Sequence, residues 1–213
     1  MIRLTCLAVW SFFSELGLTG LELDLACGFV LALLSLSAIP LAGRAVGAVM
    51  DCILKGVAEL AGSRPAFFLA NYITFPGVML HELSHAAGAK LSGARLDRVS
   101  LFEPNGKTLG CVEFTCKGKR RRHIAFQRAI SSCAPVIGGA VFVPMFMSIA
   151  SWGVGSPLLQ AMSLHGAFSM ACHMDMSRQD MKNYIKGCFW LLPHAIAIFT
   201  VCRHPHTGIP VFQ

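Results

Sequence analysis

The chain has 213 residues, of which 54% are hydrophobic and 14% are charged, and its mean hydropathy is +0.60. Soluble domains carry about 25% charged residues, so this composition excludes a soluble globular protein and indicates an integral membrane protein. The formal net charge is +7 at pH 7, an excess that in a membrane protein sets orientation and meets anionic headgroups. No basic stretch is interleaved with aromatic residues, so we expect no nucleic-acid partner.

The N-terminal third of the chain predicts membrane and interfacial helices. Residues 1–18 fit a short interfacial helix or a first membrane helix. Residues 25–42 are apolar and approach the ~20 residues that span a bilayer, and we expect Pro40 to kink this helix rather than end it. Residues 43–62 mix charged and apolar residues at helical spacing, as in an interfacial or inward-packed amphipathic helix, and residues 63–65 predict a break.

The next apolar segment, residues 66–91, contains the sequence His81-Glu82-Leu83-Ser84-His85. As one helix the segment is long enough to cross a bilayer. Residues four apart lie on the same face of a helix, so His81 and His85 can offer two imidazole nitrogens to one metal ion. Glu82 lies beside that position, where a carboxylate can accept a proton from bound water. This is the HExxH pattern of zinc hydrolases, with a glutamate as general base.

The HExxH pattern could also arise by chance, with both imidazoles hydrogen-bonded inside a helix bundle. Ionisable residues are costly to hold in so apolar a segment and indicate a functional site by default, so we favour metal binding. Pro76-Gly77 precedes the motif and predicts a kink there. Gly88 shares the histidine face, where the absence of a side chain would let another backbone approach.

Residues 92–119 lose the helical pattern and alternate loosely about Glu103-Pro104-Asn105-Gly106, which predicts a β-hairpin with an Asn-Gly turn. Open sheet edges do not survive against lipid, so the hairpin must lie at the interface or inside the protein. It could bind an extended peptide by strand addition, or it could be a simple connection; both interpretations stay open.

The densest group of basic residues lies in the loop at 92–130, which the positive-inside rule places in the cytoplasm. Its members are Arg95, Arg98, Lys107, Lys117, Lys119, Arg120, Arg121, Arg122 and Arg128. A second polar segment, 173–187, returns to the same side if the two apolar segments between them form an out-and-back pair. The basic loop is then a solvated anchor that faces anionic lipid.

The rest of the chain alternates apolar and polar segments: a span at 130–152, a shorter apolar helix at 157–172, the polar segment at 173–187, and a last apolar helix at 188–202. Small residues at 134–139 permit close helix packing. Ser177 with Asp180 is an N-cap signature.

These elements predict a mainly α fold, a polytopic membrane helix bundle of about 4–5 spans with a small β-hairpin after the motif helix. We treat the chain as one integrated domain with three parts. N-terminal membrane and interfacial helices occupy 1–65, a core occupies 66–190, and the end of the last helix with a polar tail occupies 191–213.

Catalytic zinc takes three protein ligands and leaves one position for water, so a third ligand must come from another helix. The polar segment at 173–187 can meet His81 and His85 near the cytoplasmic face. The candidates in order of preference are Asp180, Asp175, His173 and His165, with Asp51 and Glu59 less favoured.

Residues 76–86 (PGVMLHELSHA), the following hairpin, the small-Pro-x-x-small sequence at 134–138 and a late polar segment with an aspartate resemble the site-2 protease family of intramembrane zinc metalloproteases. The likeness is closest to the small bacterial branch of that family. It covers roughly residues 66–190, and the HExxH sequence is its one specific motif.

The resemblance implies that Zn²⁺ is held by His81, His85 and Asp180, and that Glu82 is the general base. It also implies that a peptide bond of a membrane-protein or membrane-proximal substrate is hydrolysed in or near a bacterial inner membrane. The family's asparagine is absent from 134–138 and Asp180 is not followed by glycine, which leaves Asp175 as an alternative ligand. The alternative function is a non-catalytic metal-binding membrane module that regulates a partner protein.

Overall fold

The structure, a computed structural model, describes residues 2–101, 110–152 and 157–203, and omits the side chains of residues 2, 3, 202 and 203. Of the described residues 82% are helical, and they include a small two-stranded antiparallel sheet, which confirms the mainly α fold with a hairpin. Across the described ranges three helices are long and apolar enough to cross a membrane: Gly20–Ala61, Arg121–Ser151 and Arg178–Val201. The predicted number of about 4–5 spans is therefore not confirmed.

In chain order the elements are α1 (Ile2–Glu15), α2 (Gly20–Ala61), α3 (Ser63–Phe68), a π-helical turn (Leu69–Ile73), α4 (Phe75–Leu91), β1 (Arg95–Ser100), β2 (Cys111–Thr115), α5 (Arg121–Ser151), α6 (Pro157–Cys172) and α7 (Arg178–Arg203). Pro40 lies inside α2 and does not end it, as predicted. The predicted turn at 103–106 and the polar tail beyond Arg203 lie outside the described residues.

The motif segment is not the single continuous helix that the sequence predicted. α3 and the π-helical turn end at Thr74 (φ −95°, ψ 16°), and α4 then begins as a separate helix of 17 residues. Pro76 stands in the first turn of α4, where its missing N–H costs no hydrogen bond and its φ suits a helix start. Proline therefore opens the motif helix here, and the prediction of a kink within a longer helix is wrong.

The chain divides into two compact units, one made of Met1–Ala38 and Cys188–Gln213 and the other of Ile39–Gly187. In the first unit, a Cβ added at Gly28 of α2 would lie 2.7 Å from Thr200 Oγ1 and 3.2 Å from Ile196 O of α7. Glycine thus lets the two helices touch at the backbone, as small residues do between membrane helices. The predicted boundaries at residues 65 and 190 stay a prediction.

The second unit contains the motif helix, which packs against both α5 and α6. A Cβ added at Gly88 would lie 2.8 Å from Ala134 Cβ and 3.1 Å from Ile130 O, and one added at Gly138 would lie 2.5 Å from Ser84 Oγ. The predicted approach of another backbone at Gly88 and the close packing at 134–139 are both confirmed. These contacts bring α5 against the face of α4 that carries the histidines.

The N-terminus of α4 is closed by a serine of α6. Ser169 Oγ accepts a hydrogen bond from Gly77 N–H at 2.6 Å and donates one to Thr74 O at 2.8 Å. The first N–H groups of a helix lack the usual partner four residues before them. Gly77 N–H donates to Thr74 O at 3.0 Å, and the fully buried hydroxyl of Ser169 is a second acceptor for it. A Cβ at Gly77 would lie 2.0 Å from Ser169 O, so only glycine fits at this contact.

The β-hairpin lies beside α4, which contacts both strands. The paired residues are Arg95 with Thr115, Leu96 with Phe114, Arg98 with Glu113, Val99 with Val112, and Ser100 with Cys111. Asp97 occupies the irregularity in β1, and its carboxylate accepts hydrogen bonds from Thr115 Oγ1 at 2.5 Å and Arg95 Nε at 2.9 Å. The bond from Thr115, followed by that from Arg95, holds the pKa of Asp97 below its usual value.

Replacing Ser169 with alanine should lower the free energy of unfolding by about 1–3 kcal/mol, the sum for two lost hydrogen bonds, while Gly77 N–H keeps its bond to Thr74 O at 3.0 Å. The measurement is the unfolding temperature of the detergent-solubilised protein. Ser151→Ala is the matched control, since that exposed hydroxyl only donates to Ser148 O within its own helix. Equal unfolding temperatures for the two variants would contradict the role of Ser169.

Candidate metal centre

His81 and His85 lie one turn apart on α4, and their rings face each other. The ring centroids are 4.7 Å apart and the two Nε2 atoms are 3.1 Å apart. The side chain of His85 is 12% exposed, and both residues are partly buried against neighbouring elements. The two rings therefore converge inside the unit, on the face that packs against α5 and the segment between α6 and α7.

Backbone carbonyls fix the orientation of both rings. His81 Nδ1 is hydrogen-bonded to the carbonyl oxygen of His173, and His85 Nδ1 is hydrogen-bonded to that of Ser131 at 2.7 Å. A carbonyl oxygen can only accept, so each Nδ1 donates, and in a neutral ring the Nε2 atom then carries a lone pair. Histidines that bind metals are oriented in the same way by a carbonyl or carboxylate on the second nitrogen.

The consequence is a pair of hydrogen-bond acceptors that face each other at 3.1 Å. Two lone pairs at this distance repel unless a proton or a cation lies between them. Ser131 holds the arrangement from both sides of His85, because its hydroxyl also donates to His85 O at 3.1 Å.

Asp180 lies in the first turn of α7, with its Oδ2 atom 3.7 Å from His85 Nε2 and its side chain 16% exposed. The same oxygen accepts hydrogen bonds from Ser177 Oγ at 2.5 Å and from Ser177 N at 3.3 Å, while Asp180 N donates to Ser177 Oγ at 3.1 Å. This reciprocal pattern is a capping box, so the predicted N-cap is confirmed. Asp180 can therefore cap α7 and face the histidine pair at the same time.

The other predicted ligands lie in different surroundings. Asp175 is half-buried between α6 and α7 and interacts electrostatically with His81, and burial raises its pKa. His173 Nε2 is engaged with Thr74 Oγ1 at 2.8 Å, so this residue contacts the site through its carbonyl. The remaining candidates are exposed: His165 on α6, and Asp51 and Glu59 on α2.

Glu82 lies on the side of α4 that faces the hairpin. A Cβ added at Gly110, the residue before β2, would lie 2.5 Å from Glu82 Cγ and 3.2 Å from Glu82 Oε1. The carboxylate also interacts electrostatically with His81 and Asp180. Glu82 is therefore close to the histidine pair, and the backbone of the hairpin covers its side chain.

No three His, Cys, Asp or Glu side chains in the described part of the chain are placed as a ready metal-binding group. The donor chemistry of His81, His85 and Asp180 nevertheless fits zinc, because catalytic zinc sites use imidazole nitrogens and carboxylate oxygens. Two nitrogens bound to a tetrahedral zinc lie roughly 3.3 Å apart, and the observed separation is 3.1 Å. Asp180 Oδ2 would have to approach His85 Nε2 by roughly 0.4 Å to reach a similar separation from that nitrogen.

Four residues that contact the site or the start of α4 were not predicted from the sequence. They are Thr74, Gly110, Ser131 and Ser169. No spacing rule identifies them, and a polar residue within an apolar helix indicates only that a hydrogen bond is needed. The sequence gives no signal for the carbonyl of His173 that accepts from His81, since every residue has a backbone carbonyl.

Comparison of the chain with protein-family models, curated proteins and solved structures gives no match. The resemblance to the site-2 protease family rests on the motif residues quoted above. Any proposal of function therefore rests on the chemistry of His81, Glu82, His85 and Asp180.

The contribution of His173 to stability should be lost as the pH is lowered from about 6.5 to about 4. Burial, and then the nearby His81, lower the pKa of His173 to about 4, so this ring stays neutral in the fold while it protonates in the unfolded chain below about 6.5. Its contribution is complete above that pH and is lost on acidification. His173→Gln should flatten this part of the curve of unfolding temperature against pH, measured with a chelator present.

His123→Gln is the control for the pH experiment, because His123 is exposed at the start of α5. This variant should keep the wild-type dependence on pH. A wild-type slope in His173→Gln would show that the burial of His173 does not set the acid sensitivity.

Proposed function

We propose that this chain is an intramembrane zinc metalloprotease that hydrolyses peptide bonds of membrane-protein or membrane-proximal substrates. One observation carries the proposal: two imidazoles, each committed to a backbone carbonyl through Nδ1, present their Nε2 atoms to each other at 3.1 Å. A divalent cation between them would replace a repulsion by two bonds. Three helices long and apolar enough for a bilayer agree with a membrane location.

The residues divide the work as follows. His81, His85 and Asp180 would hold the ion. A zinc ion bound there supplies a Lewis acid for the scissile carbonyl and lowers the pKa of water from 15.7 to about 7. The Glu82 carboxylate, beside the histidine pair, can take a proton from the attacking water and return it to the leaving amine. Gly110 keeps the hairpin backbone in contact with the Glu82 side chain, which restricts where that carboxylate can go.

The substrate must present an extended segment, because the carbonyls of a membrane helix are occupied by internal hydrogen bonds. The hairpin is placed to receive such a segment: it packs on α4, and the residue before β2 touches Glu82. Strand addition would align an unwound peptide beside the proposed base. The positive-inside rule supports a cytoplasmic location for the basic loop at 92–130, on the proposal that the protein lies in a bacterial inner membrane.

Glu82→Gln should abolish cleavage, with a loss of about 10²-fold or more, while zinc content stays at the wild-type level. The amide keeps the size of the side chain and cannot accept the proton. The measurement is cleavage of single-span substrates by the purified protein with and without a chelator, beside metal analysis. Glu22→Gln is the control, since Glu22 is an exposed carboxylate in the first turn of α2 and is not part of the hairpin.

Cleavage retained by Glu82→Gln would refute the assignment of the base. A wild-type protein that binds zinc but cleaves no single-span substrate would instead favour the non-catalytic metal-binding module.

Asp180→Asn should weaken zinc affinity by at least about 10-fold, because the amide loses the anionic donor. The amide oxygen still accepts from Ser177, so the start of α7 should survive. Asp175→Asn is the matched comparison and should leave the affinity close to wild type. The measurement is competition with a coloured chelator, and the opposite ranking of the two variants would assign the third ligand to Asp175.

A further inference from the structure

Four of the five residues between α6 and α7, His173 to Met176, each lie against a glycine of another helix. We name this segment the 173–176 loop. A Cβ added at the four glycines would lie 2.8 Å from His173 Cδ2 (Gly77 of α4), 2.6 Å from Met174 Cβ (Gly139 of α5), 3.4 Å from Asp175 Cβ (Gly47 of α2) and 3.1 Å from Met176 Cγ (Gly43 of α2). Backbones of three helices therefore surround the loop at contact distance.

The 173–176 loop links the two halves of the candidate metal centre. At its start, the carbonyl of His173 accepts from His81 Nδ1 and so orients the first histidine. Immediately after its end, Ser177 caps α7 and holds the carboxylate of Asp180. A shift of the loop would move the orienting carbonyl and the third donor together. The separation of 3.7 Å between Asp180 Oδ2 and His85 Nε2 depends on where the loop lies.

We propose that Gly43 of α2, with Gly47 one turn further along, positions the metal centre by setting the depth of the 173–176 loop. The inference rests on the proposed zinc function. The two glycines are four residues apart and so share one face of α2, and Gly43 also lies against Val136 of α5. A helix that carries no ligand and lies before the motif thus becomes part of the site.

The contacts predict a graded response to alanine. The Cβ at Gly47 would make an ordinary van der Waals contact with Asp175 at 3.4 Å. The Cβ at Gly43 would be closer, at 3.1 Å from both Met176 Cγ and Val136 Cγ2 and 3.4 Å from Met176 N, so the loop and Val136 must give by a few tenths of an ångström. This is the scale of the gap between Asp180 and a coordinating distance, which makes metal affinity the sensitive readout.

The experiment uses full-length protein in detergent and measures zinc affinity by chelator competition. Gly43→Ala should lower the affinity about 10-fold, as expected when groups that orient metal ligands are displaced. Gly47→Ala should have a smaller effect. Gly56→Ala is the matched control on the same helix, since a Cβ there meets nothing within 4 Å, and it should bind zinc as the wild type does.

Rescue separates positioning from general destabilisation. Met176→Ala removes the Cγ atom of the loop that the new Cβ would meet, so the double variant Gly43→Ala with Met176→Ala should recover part of the lost affinity, while the contact with Val136 Cγ2 at 3.1 Å stays. Met176 is buried, so truncating it leaves a cavity and should lower the unfolding temperature of the metal-free protein further. Affinity and stability should therefore move in opposite directions, which a merely structural role does not predict.

The outcomes distinguish the positioning role of Gly43 from zinc binding itself. If Gly43→Ala binds zinc as well as Gly56→Ala does, or if the double variant fails to recover affinity, the positioning role is overturned and the zinc centre still stands. If the wild type itself binds no zinc, the proposed function fails, and this inference fails with it.

Discussion

The feature on which the rest of the site depends is the pair of imidazoles whose outer nitrogens are both bound to carbonyls. Because a carbonyl oxygen cannot donate, neither His81 nor His85 can turn its proton toward the other ring without losing a buried hydrogen bond. In the neutral rings, both facing Nε2 atoms are therefore hydrogen-bond acceptors. Two separate parts of the fold, α5 and the segment before α7, supply the carbonyls, so the tertiary structure and not α4 alone defines the chemistry.

Small residues allow the close helix packing that brings these carbonyls to the histidine rings. Between membrane helices there is little hydrophobic driving force, and close packing with interhelical hydrogen bonds takes its place. The interior of the second unit follows this rule: Gly88 lies on Ala134, Gly138 lies on Ser84, and Ser169 closes the start of α4. Backbone approaches that short bring carbonyls within reach of histidine rings, which bulkier side chains at the same positions would prevent.

The sequence could predict features that are encoded in local spacing. The i, i+4 histidines predicted a shared helix face, the Ser177 and Asp180 spacing predicted a capping box, and alternation at 92–119 predicted the hairpin. It could not predict the break before α4, because Thr74 is held by tertiary contacts with Ser169 and His173. The sequence could not predict the carbonyl groups that accept from His81 and His85 either, because every residue has a backbone carbonyl whatever its type.

The brevity of α4 has a consequence for hydration. At 1.5 Å per residue its 17 residues cover roughly 26 Å, a little less than the hydrocarbon thickness of about 30 Å. His81 is only six residues from the helix start, or about 9 Å along the axis. A helix too short for the membrane thins the lipid around it or exposes one end to solvent. The proposed hydrolysis would consume water, and a helix this short would let water reach the imidazole pair without a dedicated channel.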